Sequence, residues 1–237
     1  KIFSKSKNLV SCIRRDSSKP QLNEVVIASA VRTPIGSFLS SLSELPAPQL
    51  GSVAIKEAIN RAGIKPEDVG EVYMGNVCTA AEGQAPCRQA TLGAGLPITT
   101  PTTSVNKVCA SGMKAIMMAA QSLMCGSQEV MVAGGMESMS NVPYYMTRGQ
   151  TPYGKVELKD GIVHDGLTDA YDHIHMGVCA ENTATKYNIT REEQDEYAIR
   201  SYKLSQKAAA DGLFKKEITP VEIKKKKGDP VVISEDG

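Results

Sequence analysis

Apolar and polar positions along this chain switch repeatedly between a strand-like and a helical period. Residues Glu24–Val31 are β-rich and mostly apolar, which predicts a buried strand ending at the turn Arg32-Thr33-Pro34-Ile35-Gly36. Leu50, Val53, Ala54, Ala58 and Ala62 recur at helical spacing and stop at Gly63, a residue suited to ending a helix. Val72–Val77 reads as a second short strand, after the helix-start signal Pro66-Glu67-Asp68. Thr102–Val108 is a third, running straight into a helix over 111–125, and Glu129–Ala133 is a fourth, ended by Gly134-Gly135. Strands and helices alternating through short connections predict a parallel α/β layer fold.

The helix over 111–125 carries one formal charge, Lys114, among Ala115, Ile116, Met117, Met118, Ala119, Ala120, Leu123 and Met124. A helix lying on one sheet keeps a polar face, so this one is expected between two sheets or at a subunit interface. After about Ser140 the pattern changes. Pro143, Tyr144, Tyr145, Gly149, Pro152, Tyr153 and Gly154 describe a long loop excursion. Helical spacing returns over Met176–Tyr187 and again from Thr190, where Thr190 and Glu193 form a capping box, and continues to Gly212. A β-like Glu217–Ile223, a Lys224–Lys227 run read as a solvated turn, and Val231–Ile233 complete the chain.

Composition narrows the function classes. The 237 residues allow one large domain or two smaller ones, and 41% apolar with 22% charged residues is ordinary for a folded globular chain. The longest unbroken apolar run, Ala115–Ala120, is far short of a membrane span. A net charge of +1, no Trp and 5% aromatics argue against nucleic acid as a partner. That near-neutrality hides an asymmetry. Residues 1–19 hold six basic side chains against the single acid Asp16, and are rich in Ser, which is the composition of an organelle transit peptide. The six cysteines are scattered, with no CxxC and no zinc-like pairing with His, so neither a zinc site nor a disulfide framework is expected.

Cys109 is the best placed nucleophile, at the junction of a strand and the N-terminus of the nearly uncharged helix. Unpaired N–H groups and the positive end of the helix dipole there favour a thiolate and can hold a developing oxyanion. Position alone leaves open the alternative of a cysteine that merely fills space. The surrounding residues go further. Asn106-Lys107-Val108-Cys109-Ala110-Ser111-Gly112-Met113-Lys114-Ala115 closely resembles the nucleophile motif of thiolases. So do Ala30-Val31-Arg32-Thr33-Pro34-Ile35-Gly36, Gly83-Gln84-Ala85-Pro86-Cys87-Arg88-Gln89, Gly134-Gly135-Met136-Glu137-Ser138-Met139-Ser140 and His175-Met176-Gly177. Five motifs in order make the likeness specific, and within the family it is closest to the mitochondrial branch that forms acetoacetyl-CoA.

The resemblance implies a layered α/β/α/β/α thiolase fold of two similar halves with an inserted loop domain. It divides the chain into the basic leader 1–19, a core half over 20–138 carrying the nucleophile, and the start of a CoA-binding loop domain over 139–237. It implies reversible condensation of two acetyl-CoA to acetoacetyl-CoA and CoA, with Cys109 holding the acetyl group as a thioester. His175 and Met176 match the element lining a short acyl pocket, and Tyr202 matches a tyrosine that contacts CoA and a potassium ion. No prosthetic group is expected; the substrates are coenzyme A thioesters. A homotetramer in the mitochondrial matrix, without nucleic-acid or membrane partners, completes the expectation. Complete thiolases are longer and take a catalytic His and a second Cys from their C-terminal half. Neither is found here, so the chain is expected to lack that half and to be inactive by itself. Competing readings are a cytosolic or broad-chain thiolase, a β-ketoacyl synthase-like enzyme, or a non-catalytic scaffold of the same fold.

Overall fold

In the computed structural model, residues 22–149, 153–225 and 228–237 are described. The basic leader 1–19 lies outside them. Three parallel strands, β1 (Glu71–Gly75), β2 (Thr102–Val105) and β3 (Met131–Gly135), form a sheet in the order β2-β1-β3. Helices α1 (Ala47–Ala62), α2 (Pro86–Gly93) and α3 (Ser111–Met124) alternate with them, as the parallel α/β expectation requires.

Strand alternation sorts the layers. Val72 and Met74 of central β1 point to one face, where they join Ala47, Ile55 and Ile59 of α1 and Cys87 and Ala90 of α2 in the main core. The Val, Ile and Met side chains among them each contribute about 1.5–3 kcal/mol of burial. Gly75 points to the opposite face, against the first residues of α3. The result is a three-layer α/β/α unit. Helix α1 places buried Ala47, Gly51, Ile55 and Ile59 four residues apart on one stripe, and it ends at Gly63, whose φ of 69° is the left-handed cap expected there.

The second part of the chain hangs from this unit. A ribbon of β4 (Tyr144–Tyr145) and β5 (Lys159–Asp160) leads into a π-helical turn, Ile162–Leu167. Helices α4 (Met176–Tyr187) and α5 (Arg191–Ala210) follow, the latter opened by the expected reciprocal Thr190–Glu193 cap. The antiparallel pair β6 (Val221–Ile223) and β7 (Val231–Ile233) then returns to the first part. Arg32 fastens that return: its guanidinium forks onto Asp236 (2.6 and 2.9 Å), donates to Glu217 (2.7 Å) and lies over the Phe214 ring. The same guanidinium holds the Asp236 carboxyl below its usual range.

Three expectations need correction. Glu24–Val31 forms no ladder; the adjoining bridge is Arg32 to Ile218, and Val26 and Ile27 are 76% and 82% exposed. Its apolar pattern is real, but the described residues supply no neighbouring strand to pair with it. Strand β2 stops at Val105 rather than Val108, because Asn106–Ala110 turn sharply to start α3. Strand β3 runs through Gly134-Gly135 instead of ending there: both pair with β1, and at Gly135 α3 crosses so closely that a Cβ would lie 3.3 Å from the Gly112 Cα. Helix α3 packs on the sheet through Ser111, Ala115 and Ala119, and its opposite face, with Met113, Ile116 and Met117, is the apolar surface for which a second cover is expected. Helix α2 was not expected at all. Its available signals were Pro86 in the first turn and the buried spacing Cys87, Ala90, Thr91.

Candidate active site

The carboxyl ends of parallel strands are where α/β sheets gather chemistry. Here three segments converge there: Asn76–Cys78 after β1, Asn106–Ala110 after β2, and Met136–Ser140 after β3. The middle one carries the exposed thiol of Cys109.

Val108, immediately before it, has a φ of 47°. A β-branched residue in the left-handed region is an outlier costing about 1–3 kcal/mol, sustained only when neighbours over-determine it. They do so here. Asn106 Oδ1 accepts the Val108 N–H at 3.0 Å. Ser111 Oγ accepts the Lys107 N–H at 2.8 Å and donates to the Val108 carbonyl at 2.6 Å. Ser111 itself is 4% exposed, so water cannot replace it. The strain lifts Cys109 onto a sharp strand-to-helix elbow at the N-terminus of α3, the geometry that presents a nucleophile clear of the sheet. Ser111→Ala should therefore cost about 2 kcal/mol and lower Tm by about 2–4 °C in a thermal melt of the whole protein. An unchanged Tm would mean that the elbow is held by something else.

Close backbone contact seats the elbow. A Cβ on Gly75 would lie 2.5 Å from the Gly112 nitrogen and the Ser111 carbonyl carbon, and one on Gly135 would lie 3.3 Å from the Gly112 Cα. Beside it, Glu137 clamps the loop after β1. Its carboxylate accepts from the Val77 N–H (3.0 Å), the Cys78 N–H (3.1 Å) and the Asn76 amide (3.2 Å). Asn76 is 2% exposed, and burial pushes the neighbouring Glu82 carboxyl up from its usual value. Sequence reading placed Glu137 inside a motif without a role and passed over Asn76. The signal available was a carboxylate directly after a glycine pair at a strand end.

The other motif residues serve the scaffold in what they touch. Gln89 donates to the Glu82 and Gln84 carbonyls, and Arg88 to those of Thr100 and Ile98. His175 caps α4: its Nδ1 accepts the Gly177 N–H at 2.9 Å. Met176 opens that helix and is exposed, and Tyr202 on α5 is 72% exposed. The hydrogen bonds of His164 go to Lys159, Tyr145 and Asp165. Among the described residues no imidazole hydrogen-bonds Cys109, and no group of His, Cys, Asp and Glu is arranged to hold a metal ion. No helix among them is long and apolar enough to cross a membrane.

Comparison with known proteins agrees with this geometry. Residues 25–237 match the family model described as thiolase, N-terminal domain. Mitochondrial acetyl-CoA acetyltransferase of Mus musculus is 67% identical over 228 residues, covering 96% of this chain and 54% of the mouse protein. A thiolase from Ascaris suum, solved in complex with coenzyme A, superposes with a TM-score of 0.86 at 44% identity, over 91% of this chain and 55% of that one. Acetyl-CoA acetyltransferase from Bacillus anthracis gives a TM-score of 0.88 at 39% identity, over 92% and 55%. The chain thus spans about half the length of the curated relatives it matches.

Proposed function

The chain belongs to the thiolase family, and from that premise we propose that the whole protein is a short-chain thiolase, an acetyl-CoA C-acetyltransferase. The observation that carries the reading is the exposed Cys109 held behind a strained Val108 at the N-terminus of α3. In the forward direction the Cys109 sulfur attacks the carbonyl of acetyl-CoA, and CoA leaves with a proton, so that the acetyl group rests on Cys109 as a thioester. The helix N-terminus favours the negative charge that develops on the carbonyl oxygen. A second acetyl-CoA, deprotonated at its methyl group, then attacks the acetyl-cysteine, giving acetoacetyl-CoA and the free thiol. The bases for these steps fall, by family likeness, in the length of thiolases that this chain does not span.

The same reading assigns the other parts. Residues 20–138 form the core half and 139–237 the beginning of a loop domain that binds CoA. His175, with Nδ1 tied to Gly177, keeps Nε2 for the acyl end of the substrate beside Met176. Tyr202 contacts CoA and a potassium ion. The protein works as a homotetramer in the mitochondrial matrix; its relatives' names and the basic, Ser-rich leader support the mitochondrial placement.

The test is a comparison of kcat/KM on acetoacetyl-CoA and on long-chain 3-ketoacyl-CoA, in K⁺ and in Na⁺ at equal ionic strength. Acetoacetyl-CoA should be cleaved at least about a hundredfold better, a margin within reach of one pocket wall excluding several methylenes. K⁺ should raise activity, and Tyr202→Phe should blunt that response. Equal kcat/KM across chain lengths would favour the broad-chain thiolases, and indifference to the cation would favour the cytosolic branch.

A further inference from the structure

A nucleophile–imidazole–carboxylate arrangement that does not include Cys109 stands where the β4–β5 ribbon meets the π-helical turn. Tyr145 and Lys159 are direct cross-strand partners, so their side chains leave the ribbon on the same side. Both reach the π-helical turn. Lys159 Nζ lies 3.2 Å from His164 Nε2, His164 Nδ1 lies 2.7 Å from Asp165 Oδ1, and the Tyr145 hydroxyl donates to Asp165 Oδ2 at 2.5 Å. The geometry fixes the tautomer. Asp165 requires a proton on Nδ1, which leaves the Nε2 lone pair facing the lysine nitrogen. The bond to Asp165 pushes the Tyr145 hydroxyl up to about 12, so it remains a donor and keeps the carboxylate aimed at the imidazole.

We propose that Lys159 is an acyl-acceptor amine, with His164 its general base and Asp165 the group that orients the base, so that this lysine takes acyl groups from thioesters. After the ammonium has lost one proton to solvent, the nitrogen lone pair bonds to the thioester carbonyl carbon. The nitrogen's second proton passes to His164 Nε2 as the C–S bond breaks, and the leaving thiolate recovers that proton from the imidazolium. The products are an amide on Lys159 and a free thiol, with no oxidant or reductant involved. Lys159 is exposed, so a thioester can reach it without a dedicated pocket. That the thioester in question is acyl-CoA rests on the thiolase reading; the reactivity itself does not.

The test uses the whole protein carrying Cys109→Ser, which removes any acyl transfer through that thiol, and the small probe S-acetyl-N-acetylcysteamine, which needs no CoA site. Peptide mass spectrometry then follows acetylation at each lysine. Lys159 should react at least about tenfold faster than the median exposed lysine, a fraction of the 10²–10⁴ available to a well-positioned base. His164→Gln should bring it within about twofold of that median. Asp165→Asn, which leaves the imidazole in place but frees its tautomer, should lower the rate by about tenfold. A wild-type Lys159 no faster than other lysines, or a rate unchanged in both variants, overturns the proposal. Neither result bears on the thiolase reading, which the labelling of Cys109 decides separately.

Discussion

Gly75→Ala should be among the most damaging single substitutions in this protein. A methyl group there meets backbone atoms at 2.5 Å, the Gly112 nitrogen and the Ser111 carbonyl carbon, rather than the yielding end of a side chain. Helix α3 cannot retreat from it cheaply. Its first turn carries the Ser111 hydroxyl that pins the elbow, and it also packs closely on Gly135, the β3 register partner of Gly75. Overpacking of this kind costs about 3 kcal/mol or more. Tm of the whole protein should fall by about 3–6 °C, with Cys109 displaced and activity lost alongside. Gly63→Ala is the comparison, since no atom lies within 4 Å of a Cβ there and only its positive φ resists the change. A melt of Gly75→Ala that matches wild type would show that α3 does not sit as close to β1 as described.

A larger loss is expected when these 237 residues are expressed by themselves: no measurable thiolase turnover. Acyl transfer through Cys109 needs a base, and a positioned base alone is worth about 10²–10⁴ in rate. The chain has three histidines. His175 spends Nδ1 on the α4 cap, His164 is bound between Lys159 and Asp165, and His173, whose φ is 56°, sits in the turn before α4. None hydrogen-bonds Cys109 among the described residues. The surface adds a physical obstacle. Val26 and Ile27, with Met113, Ile116 and Met117 of α3, stand in solvent at roughly 25 cal/mol per Å². Such a chain should associate or aggregate. Purification as a soluble monomer that cleaves acetoacetyl-CoA at an appreciable rate would contradict this, and would require one of the three histidines to act as base.

The parts legible in the sequence share a physical cause: their signal is local. The α4 range follows from helical spacing over Met176–Tyr187, the α5 start from the cap at Thr190, the α1 end from Gly63, and the strands β1 to β3 from short strand-like runs bounded by turns. What escaped depends on contacts between distant segments. Glu24–Val31 has a strand's composition, but pairing needs a neighbour, and composition does not say which one. Gly134-Gly135 looks like a breaker, yet it continues β3 by pairing with Met74 and Gly75 of β1, and Gly135 leaves room for α3 to cross above. The site divides in the same way. Cys109 was visible through its motif and its place before a helix. The Glu137 clamp and the Ser111 bracing of Val108 join residues whose relation appears only when the strand ends are brought together. The Lys159–His164–Asp165 arrangement was invisible for the same reason, since cross-strand register decides which side chains share a face.

The central claim is that Cys109, raised on its elbow, is where an acetyl group enters. Brief exposure of the whole protein to acetyl-CoA, acid quenching and peptide mapping tests it most directly. The account predicts near-stoichiometric acetyl thioester on Cys109, little on Cys78, Cys87, Cys125 or Cys179, and none at all in Cys109→Ser. Label appearing instead on Cys87 or Cys125, with Cys109→Ser still turning over, would contradict it.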